Sequence, residues 1–232
     1  MLLSTNLLAF VLHKKMKILT LRIYNSTPDY DEMYKLHKKF DKNSVFLTAS
    51  PSVTEPVYDT QTNILTVPGN ECLIPGILYK TIKGIEYCLK HFEFDILVRS
   101  NMSTIIDYTE LEKQLSNISS PIYGGHVWSY VIMKNFVTPT RFSFISGCCT
   151  VMDRDVCAKL ISGNFMYNLY DDVAIGYYLS KLYPITYSTQ YDETCKKQSG
   201  SCFYRFRKDI TRYDQREKDI ENIKHFYQLL TE

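Results

Sequence analysis

The chain has 232 residues, of which 45% are apolar and 22% charged, with a formal net charge of +2. That length suits one large domain with a full core, and the composition is ordinary for a globular protein. The balanced charge, with no long basic run, argues against a dedicated nucleic-acid binder, so no nucleic-acid partner is expected.

Tyrosine is abundant, with 19 copies beside 12 Phe and one Trp. Its apolar ring and polar tip suit stacking on a sugar or base, although a core and surface bias accounts for any single copy. Seven cysteines make an odd count without a Cys-x-x-Cys pair, which argues against a structural zinc site. Cys195 and Cys202 flank a polar loop and would close a small disulfide under oxidising conditions; reduced thiols are the expectation.

The apolar stretch Leu2 to Leu12 falls short of the roughly 20 residues of a membrane span, and Lys14-Lys15 follows it, whereas a signal peptide carries its charge ahead of the apolar run. Residues 1–15 therefore read as an extension and 16–232 as the domain. No stable membrane span is expected. The expected location is the cytoplasm, or the host cytoplasm for a viral protein, in preference to a membrane surface or secretory lumen.

Strands and helices alternate with short turns, predicting a single α/β domain, Rossmann-like, with a mixed, mostly parallel sheet flanked by helices. Ile18 to Tyr24 reads as the first strand, and Asp29 or Asp31 as the cap of a helix ending near Phe40. Ser44 to Thr48 and Ile64 to Val67 are strand-like, with a Pro-containing loop over 49–62 between them. A helix starts at Pro75 and runs to His91 on an Ile77/Leu78/Ile82/Ile85/Leu89 face. The continuous apolar run Asp95 to Val98 has the character of a buried central strand.

Asp107 caps the next expected helix, and Tyr123 to Met133 is strand-like. Phe144 to Asp155 reads as a small-residue turn and a helix start at Asp153 or Asp155. A helix over 171–182, a strand from Ile185 to Thr189, a loop over 190–201 and an amphipathic helix from Asp214 to Leu230 complete the pattern.

Three segments carry candidate chemistry. Asp95-Ile-Leu-Val-Arg-Ser-Asn-Met-Ser103 delivers polar groups at a strand end, where open α/β sheets bind ligands. Ser146-Gly147 supplies a close-approach glycine, whose alternative is an ordinary turn residue. Asp171-Asp172 opens a helix in Tyr170-Asp-Asp-Val-Ala-Ile-Gly176. Adjacent helix positions diverge, so one carboxylate can face a cleft as general base while the other caps the helix; alternatively both merely favour the helix N-terminus.

With Glu71 and Lys80-Thr81 upstream and Asp153-Arg-Asp155 downstream of Ser146-Gly147, these motifs in this order resemble GT-A-fold glycosyltransferases of the β-1,3-galactosyltransferase and Fringe type (glycosyltransferase family 31). The resemblance extends to their compact forms in large DNA viruses. It runs from about Lys17 to Asp172 and beyond, on short motifs that gain specificity from their order.

The resemblance implies an inverting hexosyltransferase, moving a sugar from a nucleotide-sugar donor to a glycan or glycoprotein hydroxyl. Asp172 would be the base and Asp171 a capping or acceptor-orienting residue. The implied donor-binding residues are Arg99, Asn101, Ser103 and Lys80, together with Arg205 and Arg207 of the basic cluster that continues to Lys208 and Arg212. Ser146 and Gly147 would contact the acceptor.

One departure stands out. The family's Asp-rich, metal-holding triplet falls on Asn101, Met102 and Ser103, and none of these is a charged ligand for a hard cation. No metal ligand is assigned; Mn²⁺ or Mg²⁺ is left open and not required. The alternatives are a metal-free transferase, a weak site completed elsewhere, or a catalytically inactive carbohydrate- or nucleotide-binding protein on the same scaffold.

Overall fold

The computed structural model describes residues 15–134, 138–194, 196–207 and 216–231. The expectations for the first 14 residues, for Cys195, and for Lys208 and Arg212 lie outside these. In chain order, β1 (Ile18–Ile23) leads through α1 (Pro28–Phe40) to β2 (Ser44–Ser50), and β3 (Val57–Asp59) precedes β4 (Ile64–Pro68). α2 (Gly76–His91) carries the chain to β5 (Ile96–Asn101), β6 (Thr104–Ile106) and α3 (Tyr108–Leu115). The antiparallel pair β7 (Tyr123–Lys134) and β8 (Thr138–Ile145) is followed by β9 (Cys149–Asp153), α4 (Arg154–Ile161) and α5 (Asp171–Leu179). β10 (Tyr187–Thr189), β11 (Tyr191–Asp192), β12 (Phe203–Arg205) and α6 (Arg216–Thr231) come last.

The main sheet is mixed, in the order β10-β7-β9-β5-β1-β2-β4-β3, with β8 added on β7. Its centre, β4-β2-β1-β5, is parallel. The chain moves outward from β1 to β2 and β4, then crosses back to set β5 on the other side of β1. Such a reversal opens a crevice at the carboxyl ends of the two strands.

Period-two alternation sends Leu21, Leu47 and Leu97 toward α2, α4 and α5, while Phe46, Ile96 and Val98 face the layer with α1, α3 and α6. The expected central strand is buried throughout: Ile96, Leu97 and Val98 are at most 2% exposed. α6 buries Ile223, Phe226 and Tyr227 in the cluster that holds Met33 of α1 with Tyr204 and Phe206.

The structure corrects several sequence expectations. Thr27, not Asp29 or Asp31, occupies the cap of α1, because Pro28 with its fixed φ makes a ready first helical residue. Asp31 instead accepts from the Tyr24 hydroxyl at 2.5 Å. Cys149 to Asp153, expected as turn and helix start, is a buried strand between β5 and β7. α5 stops at Leu179, short of residue 182. The expected loops over 49–62 and 190–201 each contain a short strand, β3 and β11.

Candidate functional site

A cleft of about 850 Å³ opens at the carboxyl ends of β1 and β5, within the size range of small-molecule sites. It brings together the residues given a catalytic, donor or acceptor role from sequence, Lys80, Arg99, Asn101, Ser103, Ser146, Gly147, Asp171, Asp172, Arg205 and Arg207, with Glu71 beside them, while Thr81 and Asp153-Arg-Asp155 of the same motifs are not in its lining. These come from β5 and the turn after it, α2 and the segment before it, α5, β12, and the segments that join β8 to β9 and follow β12, so only the tertiary fold could assemble them.

The Asn101–Thr104 turn is held rigidly. Arg22, buried on β1 and paired with Asp41 at 2.7 Å, donates to the carbonyls of Asn101 at 3.2 Å and Thr104 at 2.6 Å. His37 Nε2 donates to the Met102 carbonyl at 2.7 Å, and the Phe206 amide to that of Ser103 at 2.8 Å. A carbonyl only accepts, so the Nε2–H tautomer of His37 is required here. Burial, reinforced by the Arg22 charge, pushes His37 down to about 3 and keeps the ring neutral. With all four carbonyls engaged, the turn presents the Asn101 side chain to the cleft with little freedom.

Arg99 links three parts of the site. It is buried and donates through Nη2 to Asp171 Oδ2 at 2.5 Å, and through Nη1 to the Gly147 carbonyl and to Asn101 Oδ1. Two residues apart on β5, Arg99 and Asn101 share one side of the strand. A Cβ at residue 147 would collide with the Arg99 guanidinium, so this glycine admits the arginine, where the expected reason was approach of a sugar. Asp171 likewise departs from the expected capping role. Tyr170 is the N-cap, and the Asp171 carboxylate turns to Arg99.

Asp172 is differently placed. Its Oδ2 accepts from the Gly147 amide at 3.1 Å and its Oδ1 from the Val173 amide at 2.9 Å. Burial, with the Asp171 charge next in size, raises its carboxyl above the usual aspartate range. Three carboxylates line the cleft. Glu71 is paired with Lys80 and Asp171 with Arg99, whereas Asp172 forms no ion pair among the described residues.

Lys80 lies in the cleft wall with its ammonium already occupied. It donates to both oxygens of Glu71 at 2.8 and 2.7 Å and to the Tyr24 carbonyl at 2.7 Å. These partners use all three of its N–H donors. Glu71 also accepts from the Ala49 amide at 2.7 Å, so the pair ties the ends of β1 and β2 to the entry of α2. Lys80 and Arg99, both expected to bind donor, instead have their charges met within the protein.

The cations left for a ligand lie across the cleft. Arg205 rests on the Tyr191 ring, 5.0 Å from its centroid, and donates to that hydroxyl at 2.9 Å, while its buried Nε has no hydrogen-bond partner. Arg207 lines the same wall and forms no ion pair among the described residues. Arg216 Nη1 donates to Ser103 Oγ at 3.0 Å and pairs with Asp219.

These contacts do not suit the divalent ion that the family resemblance implies. Asn101 Oδ1 is taken by Arg99, Met102 is buried among apolar side chains, and a guanidinium beside Ser103 would repel a cation. Among the described residues, no three His, Cys, Asp or Glu side chains converge as a metal-binding group.

Sequence reasoning missed several cleft residues: Tyr24 and Tyr30 beyond β1, Tyr130 and Phe144 on β7 and β8, and Tyr170 before α5. Tyrosine abundance was the available signal, without positions. Cys148 also lines the cleft; its hydrogen bond with the Cys149 thiol brings it down to about 7, while burial drives Cys149 up. His126 packs its ring 4.2 Å from that of Tyr191 and stays out of the cleft lining. The six described cysteines carry free thiols.

Among the described residues no helix is long and apolar enough to cross a membrane. Comparison with protein-family models and with curated proteins finds no match for this chain.

Proposed function

We propose that the protein is an inverting glycosyltransferase of GT-A type that works without a divalent ion. The observation that carries this reading is Asp172, a carboxylate in a roomy cleft that two amide donors orient and that forms no ion pair among the described residues. An acceptor hydroxyl would give its proton to Asp172 as its oxygen attacks the anomeric carbon. The bond from that carbon to the nucleotide diphosphate breaks on the opposite face. Arg205 and Arg207 would meet the charge that develops on the departing diphosphate, the task an ion performs in metal-dependent relatives. Asp171 and Arg99 position the loop and α5 that carry Asp172, while Lys80 and Glu71 shape the floor.

A second reading, a catalytically inactive carbohydrate- or nucleotide-binding protein, is favoured by the uncharged Asn101-Met102-Ser103 triplet. Turnover of a panel of nucleotide sugars, with acceptor and with water alone, separates the two. Donor consumption that survives EDTA and falls in Asp172→Asn supports the transferase; tight nucleotide binding without consumption supports the binder.

A further inference from the structure

The turn that orients Asp172 also carries a pair of thiols that sugar transfer does not use. Cys148 lies in the turn after β8 and Cys149 opens β9, so strand alternation has not yet sent their side chains apart. Their sulfurs are hydrogen-bonded at 3.7 Å. The Ser146 hydroxyl lies 3.2 Å from the Cys148 sulfur, and the His126 amide donates to the Cys149 sulfur at 3.3 Å. Cys148 lines the cleft with 1% of its surface exposed, which favours a small reagent over a bulky one; Cys149 is fully buried. The two differ in readiness to react, since thiolate is the reactive form. The Cys149 thiol, helped by the Ser146 hydroxyl and by Arg205 and Arg99, outweighs burial and holds the Cys148 thiol below its ordinary range. Burial drives Cys149 up, and does the same to Cys88, Cys157 and Cys202. A nucleophilic sulfur beside a second, protonated one is the arrangement of an oxidisable dithiol.

We propose that Cys148 and Cys149 are a modification site, oxidised by hydrogen peroxide to a disulfide between neighbours, and that this bridge displaces the turn that orients Asp172. The Cys148 sulfur attacks one peroxide oxygen and the O–O bond breaks. The second oxygen takes up the proton that the thiol lost and leaves as water, while the sulfur, having given up two electrons, becomes a sulfenic acid. The Cys149 sulfur then attacks that sulfur and the S–O bond breaks. The departing hydroxyl carries off the Cys149 proton as a second water. Closing the bridge draws the sulfurs from 3.7 Å to about 2.05 Å. Adjacent Cα atoms are about 3.8 Å apart, below the roughly 4.4–6.8 Å usual for a disulfide, so the bridge is strained and readily reduced again. The Ser100 hydroxyl donates to the Cys148 carbonyl at 2.9 Å, and the Cys149 amide to the Ser146 carbonyl at 3.1 Å. With both residues tied into the turn, closure shifts it, and with it the Gly147 amide that holds Asp172. The effect on turnover rests on the transferase reading; the oxidation itself does not.

The full chain is titrated with hydrogen peroxide, unfolded in excess alkylating reagent and digested with trypsin for mass spectrometry. Cleavage after Arg141 and Arg154 releases residues 142–154 as one peptide whose cysteines are this pair alone. The exposed Cys72 serves as internal standard. By the time Cys72 is fully oxidised, the 142–154 peptide should be unalkylated and lighter by two hydrogens than its reduced form. Dithiothreitol should restore two alkylated thiols. Cys149→Ser should stop at a Cys148 sulfenic acid that dimedone traps, and Cys148→Ala should leave Cys149 alkylated. Turnover of the oxidised wild type should fall about tenfold or more and return with dithiothreitol, because a small misplacement of a reacting group is costly. Cys148→Ala should lose that sensitivity to peroxide whatever its own rate.

A pair still fully alkylated once Cys72 is oxidised overturns the site, as does a bridge from either cysteine to another part of the chain. Both results are read on the wild type, so a variant that fails to fold does not shelter the proposal. Bridge formation with unchanged turnover overturns the effect on Asp172. Bridge formation in a chain that consumes no donor even when reduced sinks the transferase reading and leaves the dithiol site.

Discussion

Replacing Asp171 by Asn preserves side-chain shape while removing the charge that faces Arg99. The two side chains are 4% and 11% exposed, so water screens the pair little and the surface figure of at most about 1 kcal/mol does not apply. Removing one partner of a buried pair leaves the other charge uncompensated, at a cost of about 3–5 kcal/mol. Arg99 also holds the Gly147 carbonyl and Asn101, so relaxation of its guanidinium would disturb the segment that orients Asp172. In a chain of 232 residues each kcal/mol corresponds to about 2–4 °C, which gives a fall of about 6–20 °C in Tm. Thermal and urea denaturation of Asp171→Asn measure it, with the double variant Arg99→Met/Asp171→Leu as control. The double variant should be more stable than the single one, because it buries no lone charge. A single variant within about 2 °C of wild type, or a double variant no better than the single, would refute the claim that this pair is buried and coupled.

Three further outcomes follow from the same site. Asp172 has a raised pKa in the fold, so its contribution to stability is present below the ordinary value of 3.8 and is lost as pH rises through the raised one. Asp172→Asn should therefore be more stable than wild type at pH 7, with the advantage vanishing below pH 3.8 in thermal scans across pH. Lys80→Met should destabilise by about 3 kcal/mol, because it strands Glu71, with little change in nucleotide-diphosphate affinity by calorimetry; a large affinity loss at unchanged stability would contradict its role in the cleft wall. Arg207→Ala should weaken nucleotide diphosphate about tenfold or more, the worth of a charge-assisted hydrogen bond, and EDTA should leave wild-type binding unchanged; a strict metal requirement would overturn the cationic account.

What the sequence disclosed was local. The buried run at Ile96 to Val98 declares a central strand because both faces are covered, and Asp107 and Asp153 act as caps through bonds to the Glu110 and Val156 amides. Cys149 to Asp153 escaped notice because Cys-Thr-Val-Met-Asp carries no clear alternation; it is a strand only because β5 and β7 flank it. The three-residue strand β6 pairs with β12, which also carries β11, a pairing across about a hundred residues of chain that no local pattern encodes.

The candidate site was legible as a set of residues and illegible as a set of partnerships. The residues assigned catalytic, donor or acceptor roles all line the cleft, but Arg99 and Lys80 are neutralised there by Asp171 and Glu71. Arg99 lies 72 positions from its partner, a distance that periodicity cannot bridge.

The central claim is that Asp172 removes the acceptor's proton. Its most direct test is the rate of sugar transfer by Asp172→Asn, measured beside nucleotide-diphosphate affinity on the same protein. A base acts in the transition state, so turnover should fall about a hundredfold or more while that affinity stays at the wild-type value. Full turnover in Asp172→Asn, or a wild-type protein that binds nucleotide sugars and consumes none of them, would contradict the account.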